Sequence, residues 1–204
     1  MITAQAVKEL RERTGAGMMD CKRALVEADG NIDLAIDNLR KAGIAKAQKK
    51  SGRSANDGVI MHYIHPGSRL GVLVEVNCET DFVSRTEKFQ DFAKDIAMHI
   101  AAANPTAVSR ENIPSDIINK EKEIFAEQAK QSGKPDHIIE KITVGMLEKF
   151  YSENVLTEQT YVKDPDKTIK DILTEAISTF GENITISRFV RFELGESASS
   201  TPQE

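Results

Sequence analysis

Apolar positions recur along this chain with two periods, and their succession predicts an α+β fold. Near the start, Thr3 is placed as an N-cap, Val7 and Leu10 lie one turn apart, and Gly15 and Gly17 interrupt the helix. Cys21, Ala24, Leu25 and Ala28 form the face of a second helix, from Met18 to Ala28, that stops at Gly30. Asn31 then caps a third helix with the face Ile32, Ala35, Ile36 and Leu39, expected to end at Gly43. Three short helices joined by tight turns make a small bundle. From about Gly43 to Asn56, small residues mix with Lys46, Lys49, Lys50 and Arg53, as in an exposed helical extension or linker, so a domain boundary is expected near Arg53.

Beyond that point the period drops to two. Leu70, Val72, Val74 and Val76 share one face of a strand, and His65-Pro66-Gly67-Ser68-Arg69 is a turn cluster joining it to a strand from Gly58 to Ile64. Ile184, Ile186, Val190, Phe192 and Leu194 also alternate, so a C-terminal strand is expected to complete an antiparallel sheet of at least three strands. Helices are expected at Thr86 to Ala102, Ser115 to Gln131, Asp136 to Tyr151 and Asp166 to Phe180. Ser132-Gly133-Lys134-Pro135 breaks the second from the third, making a helical hairpin with stripes of Ile117, Ile124 and Ala129 against Ile138, Ile142 and Met146. The expected organisation is a bundle with linker over 1–53, a core over 54–196 with the helical hairpin at about 115–151, and a small polar tail over 197–204, expected to be disordered.

Composition narrows the function classes. No apolar run approaches the roughly 20 residues of a membrane span, and the N-terminus lacks a secretory pattern, so a cytoplasmic protein is expected. Cys21 and Cys78 lack the close spacing of zinc or dithiol motifs and read as reduced, half-buried thiols. The net charge of −5 opposes sequence-independent binding of a polyanion, although local basic segments remain. There is no GxxxxGK[ST] cradle, so direct binding of a nucleotide is not expected. His62 and His65 could hold a metal only with ligands from elsewhere, and a solvated or sheet-packed pair is the better reading. No nucleophile has an identifiable base, and no cofactor, metal or covalent chemistry is expected.

The most informative stretch is Leu70 to Val83, LGVLVEVNCETDFV, where the anchored strand runs into a polar turn that sets Asp81 beside Phe82. From pattern alone Asp81 would cap the next helix and Phe82 would staple it to the sheet; the alternative is an aromatic wedge with a charged guide for another protein's surface. Thr80-Asp81-Phe82-Val83, following Glu75-Val76-Asn77-Cys78, resembles the signature of bacterial translation elongation factor Ts, and Leu10 to Lys22, LRERTGAGMMDCK, is similar to that family's N-terminal motif. The resemblance spans Thr3 to about Glu196.

It implies a ubiquitin-associated-type N-terminal bundle and a guanine-nucleotide exchange factor, not an enzyme, whose partner is elongation factor Tu in its GDP-bound and nucleotide-free states. Thr80, Asp81, Phe82 and Val83 would enter the partner's nucleotide-binding domain and dislocate Mg²⁺, while Arg11, Met18 and Met19 would dock on a neighbouring helix. One of the two methionines is expected to face the bundle core, since adjacent helical residues diverge by about 100°. The chain carries one copy of a strand-hairpin-helix repeat that longer members have twice, so a homodimer through the exposed sheet is expected. The competing reading is a helical RNA- or ribosome-binding adaptor using Lys46 to Arg53 and the helical arm.

Overall fold

A computed structural model describes residues 2–131 and 135–196. The fold is α+β, as expected. Three helices open it: α1 (Ala4–Thr14), α2 (Met18–Glu27) and α3 (Ile32–Lys50). The caps stand where the residue types put them: Thr3 Oγ1 accepts from the Ala6 N–H at 3.2 Å and Asn31 Oδ1 from the Leu34 N–H at 3.0 Å. Gly15, in the left-handed region at φ 67°, closes α1. Val7, Leu10, Cys21, Ala24, Leu25, Ala28 and Ala35 form the buried core of the bundle.

The third helix does not end at Gly43. It runs to Lys50, with Gly43 buried and facing the Ser178 side chain, and Ala47 buried one turn on. A glycine read locally as a stop is here a site of tertiary contact, and packing overrides its weak helix propensity.

Strands β1 (Asp57–Ile64) and β2 (Leu70–Cys78) form the hairpin, and β5 (Thr185–Glu193) completes a three-stranded antiparallel sheet of order β1-β2-β5. Val72, Val74, Val76 and Cys78 are all buried, so β2 behaves as its alternation requires. The stripe expected on β5 is not uniform: Ile184 and Ile186 are buried, but Val190, Phe192 and Leu194 are exposed. Alternation identifies the two faces of a strand without saying which parts of a face are covered.

Between β2 and β5 lie α4 (Asp81–Ser84), α5 (Glu87–Ala103), α6 (Ser115–Lys130), α7 (Asp136–Asn154), β3 (Thr160–Tyr161), β4 (Asp164–Thr168) and α8 (Ile169–Phe180). The helix expected from Asp166 starts three residues later, because Asp164–Thr168 pairs with Thr160–Tyr161 in a small hairpin. Helices α6 and α7 pack on each other as expected, but with a different stripe on α6. Ile118, Phe125 and Ala129 turn inward while Ile117 and Ile124 are exposed, and the Phe125 and Phe150 rings meet edge-on at 6.5 Å. The connection at 132–134 and the tail at 197–204 lie outside the described residues.

Contacts divide the chain into two compact units: Met1–Val59, Val76–Phe92 and Asp171–Thr185 form the first, and Ile60–Glu75, Ala93–Lys170 and Ile186–Glu204 the second. In the first, Phe89 is fully buried, its ring edge-on to Phe180 at 5.6 Å. In the second, Arg110 joins Glu148 of α7 to Glu158 by two hydrogen bonds to each carboxylate and lies 4.1 Å over the Tyr151 ring. These partners, Glu158 first, hold its guanidinium firmly in the charged form.

His99 is buried in the same unit. The Val162 N–H donates to its Nδ1 at 3.4 Å, so the proton sits on Nε2, 3.1 Å from Gln159 Oε1. Gln159 completes the network by donating to the carbonyls of Ala103 and Glu153. Burial lowers the His99 pKa, an effect the Gln159 bond partly offsets.

Candidate functional site

The turn after β2 is short and heavily braced, all within the first unit. Gly58 on β1 lies against the end of β2 so closely that a Cβ there would come within 2.2 Å of the Val76 carbonyl oxygen; its φ of 144° is also one that glycine tolerates best. Asp57, just before it, accepts from the Gly58 N–H at 2.7 Å and from the Ser84 hydroxyl at 3.2 Å, tying α4 to β1. The Gln90 amide donates to the Ser84 carbonyl at 2.6 Å, tying α4 to α5. Cys78 is fully buried and its S–H donates to the Thr80 carbonyl at 3.1 Å; desolvation first, then the nearby Glu182 carboxylate, raises its pKa and keeps it a thiol. Both cysteines are free and buried, deeper than the half-burial expected of them.

On this base Asp81 and Phe82 stand side by side in the four-residue helix α4. The Phe82 side chain is 84% exposed, so it staples nothing within the chain. Asp81 Oδ2 pairs with Arg85 at 2.8 Å, one turn along, and both side chains are substantially exposed. Val83 is half-buried and Thr80 exposed. The Thr80 side chain makes no capping bond to the helix it precedes. Its hydroxyl donates instead to Glu182 Oε1 at 2.6 Å, and Glu182 Oε2 accepts from the N–H groups of Glu79 and Thr80, each at 3.0 Å. Glu79 in turn accepts from the Asn183 N–H at 2.6 Å, while the Asn183 side chain donates to the Arg53 carbonyl at 2.7 Å.

Glu182 and Asn183 were not legible as site residues. They lie about a hundred positions from the turn they hold, and Gly181-Glu182-Asn183 reads locally as the end of a helix.

Arg11, Met18 and Met19 belong to the same unit and are exposed. The expectation that one methionine faces the bundle core is overturned: Met18 is 55% and Met19 73% exposed. Met18 lies on the stripe of Cys21 and Leu25, but it is the first residue of α2, a turn before the stripe becomes covered. The segment is nonetheless fixed, because Asp20 binds both Arg23 and, at 2.8 Å, Lys46 of α3, and these cations, Lys46 first, lower its pKa. The basic stretch is largely engaged within the chain: Lys46 with Asp20, Lys50 with the Gly181 carbonyl, and Arg53 with Glu79 at 3.5 Å.

In the second unit a groove of about 490 Å³ along α6 and α7 is lined by apolar Ala126, Ile139, Val144 and Leu147 between lysines and glutamates. No group of three or more His, Cys, Asp or Glu side chains able to hold a metal occurs among the described residues.

A small bundle with bare methionines and a braced turn that displays an aromatic and an acid define an α+β protein built around presented surfaces. The family model for elongation factor TS matches residues 35–196. An elongation factor Ts from Caldanaerobacter subterraneus subsp. tengcongensis is 62% identical over 196 residues, covering 96% of this chain and 98% of the relative. One from Thermoanaerobacter sp. strain X514 is 58% identical over the full length of both chains, and one from Geobacter sulfurreducens is 57% identical over 195 residues, covering 96% and 90%. The chain therefore belongs to the elongation factor Ts family of translation elongation factors.

Proposed function

We propose that this protein is a guanine-nucleotide exchange factor for elongation factor Tu, acting in the cytoplasm by binding and without covalent catalysis. The observation that carries this reading is Phe82: a large aromatic left 84% exposed on a turn whose backbone is held from several sides. Exposing a phenylalanine forgoes roughly 1.5–3 kcal/mol of burial, which a partner's pocket can recover. Phe82 acts as the wedge beside the partner's Mg²⁺ site, Asp81 guides it, Thr80 and Val83 complete the entering segment, and Arg11, Met18 and Met19 grip a helix beside that site. Flexible, polarizable methionines suit such packing.

Exchange then follows from linkage. A factor that binds the nucleotide-free partner better than the GDP form weakens GDP binding by the same coupling free energy, about 1.4 kcal/mol for each tenfold. The factor itself binds no nucleotide. The absence of a helix long and apolar enough to cross a membrane, among the described residues, is compatible with the cytoplasmic assignment.

The module boundary near Arg53, with 54–196 as the dimerisation and Tu-binding core, belongs to the same proposal, as does the homodimer. Ile64 lies beside Gly71, and Arg188 pairs with Glu75 at 2.8 Å, so alternation puts Ile60, Ile64, Leu73, Val190 and Phe192 on one face of the sheet. All five are exposed, and a second copy of the chain is the occupant that would cover them. The adaptor reading loses support, because three of its basic side chains already bind within the chain.

The test is stopped-flow release of fluorescent GDP from elongation factor Tu in the presence of excess unlabelled nucleotide. Saturable acceleration by this protein is expected; binding without acceleration would overturn the proposal.

A further inference from the structure

Helix α4 has four residues, too few to hold its own shape, since the first helical turn fixes several dihedrals for one hydrogen bond. A threonine at its N-cap would ordinarily accept from an N–H of the first turn; Thr80 does not, and its hydroxyl donates to Glu182 instead. What fixes the start of α4 is a carboxylate from the loop before β5. The two oxygens of Glu182 take both successive N–H groups of the turn and the Thr80 hydroxyl, three charge-assisted bonds. The neighbouring Asn183 returns the grip by donating its N–H to Glu79, and its own amide is anchored on the Arg53 carbonyl. Asn183 is buried and Glu182 half-buried, so this clasp is part of the first unit's frame. The residues it holds, Glu79 and Thr80, immediately precede Asp81 and Phe82.

We propose that Glu182 is a positioning residue for nucleotide exchange: it sets the direction in which Asp81 and Phe82 leave the turn, and so the maximal rate of GDP release. This rests on the reading of Phe82 as the wedge. Glu182→Met keeps the side chain's length but removes both acceptor oxygens, so the Glu79 and Thr80 N–H groups and the Thr80 hydroxyl all lose this partner. Such a change leaves α4 without one side of its clasp, while Phe82 and the methionines remain present.

The experiment is a double-mutant cycle of Glu182→Met and Phe82→Ala, read by the maximal GDP release rate from elongation factor Tu, the half-saturating factor concentration and the unfolding temperature. Glu182→Met is expected to lower the maximal rate about tenfold, equivalent to about 1.4 kcal/mol of barrier, with the half-saturating concentration changed less than about threefold. In the Phe82→Ala background the same substitution is expected to have less than about a twofold effect. An undiminished tenfold effect in that background would overturn the proposal, because Glu182 would then act on the fold in general. A normal rate for Glu182→Met alongside a slow Phe82→Ala would overturn the positioning role and leave the wedge standing. A normal rate for Phe82→Ala would overturn both. If Glu182→Met does not fold, Glu182→Gln, which can keep all three partners but loses the charge that strengthens their bonds, enters the same cycle with the same pattern expected at a smaller amplitude.

Discussion

The turn after β2 and the outer face of the sheet both leave large apolar side chains in water, and they do so in opposite ways. At the turn a single exposed ring, Phe82, stands beside Asp81, and the backbone around it is held by Cys78, Glu182 and Gln90. On the sheet, Ile60, Ile64, Leu73, Val190 and Phe192 form a broad patch on regular strands. A broad patch on a sheet suits a large, flat interface, such as a second copy would supply. A lone ring on a braced turn suits insertion at one point, and the bracing limits the conformational entropy lost on binding. Exposure is common to both regions; what separates their proposed roles is how much structure is committed to fixing the exposed group.

Several substitutions sharpen that contrast. Phe89, seven residues from Phe82 in the same unit, is the buried control. Phe89→Ala is expected to destabilise the protein by about 3–5 kcal/mol, the range for a truncated core aromatic, as read by chemical unfolding; a loss below about 1 kcal/mol would mean that the ring packs loosely. Phe192→Asp is expected to raise the dimer dissociation constant at least a hundredfold, since burying a phenylalanine is worth roughly 1.5–3 kcal/mol and symmetry counts the change once per chain. Light scattering checks this, and a wild-type protein that stays monomeric at all concentrations would remove the dimer altogether.

Asp81→Ala is expected to slow exchange about tenfold while weakening docking less than about threefold, because loss of a hydrogen bond to a charged group is worth roughly 1.5–3 kcal/mol in the step that uses it. Its exposed pair with Arg85 contributes at most about 1 kcal/mol to stability. Equal losses of affinity and exchange would make Asp81 a plain docking residue.

The smallest effect is expected at His99. Its folded pKa lies below the unfolded value of 6.5, so its contribution is complete above that pH and is lost as the pH falls from there to the folded value. The slope is at most about 1.4 kcal/mol per pH unit. His99→Gln should flatten the dependence of stability on pH between 7 and 5 relative to the wild type, and an unchanged slope would contradict the assignment.

Much of this architecture was legible because its signals are local. The alternation of Val72, Val74 and Val76, the caps at Thr3 and Asn31 and the stop at Gly15 each depend on residues within a few positions, and the structure follows them. The misread features depend on distant partners. Gly43 continues a helix because Ser178 lies against it, and Ile117 is exposed while Ile118 turns inward because α7 selects the inward stripe of α6. The β3 and β4 strands are short and contain Pro165 and charged residues, so they have no alternation to find. The tip follows the same rule: Asp81 and Phe82 were visible from their own motif, whereas Glu182, which grips the turn from about a hundred residues away, was not.

On the proposed function, Phe82 is held exposed for a partner and contributes little to this chain's own fold. This is tested most directly by measuring the maximal GDP release rate from elongation factor Tu and the unfolding free energy for Phe82→Ala beside the wild type. Release is expected to slow by one to two orders of magnitude, about 1.4–2.7 kcal/mol of barrier, with stability changed by less than about 0.5 kcal/mol. Release at the wild-type rate with intact stability would contradict that reading.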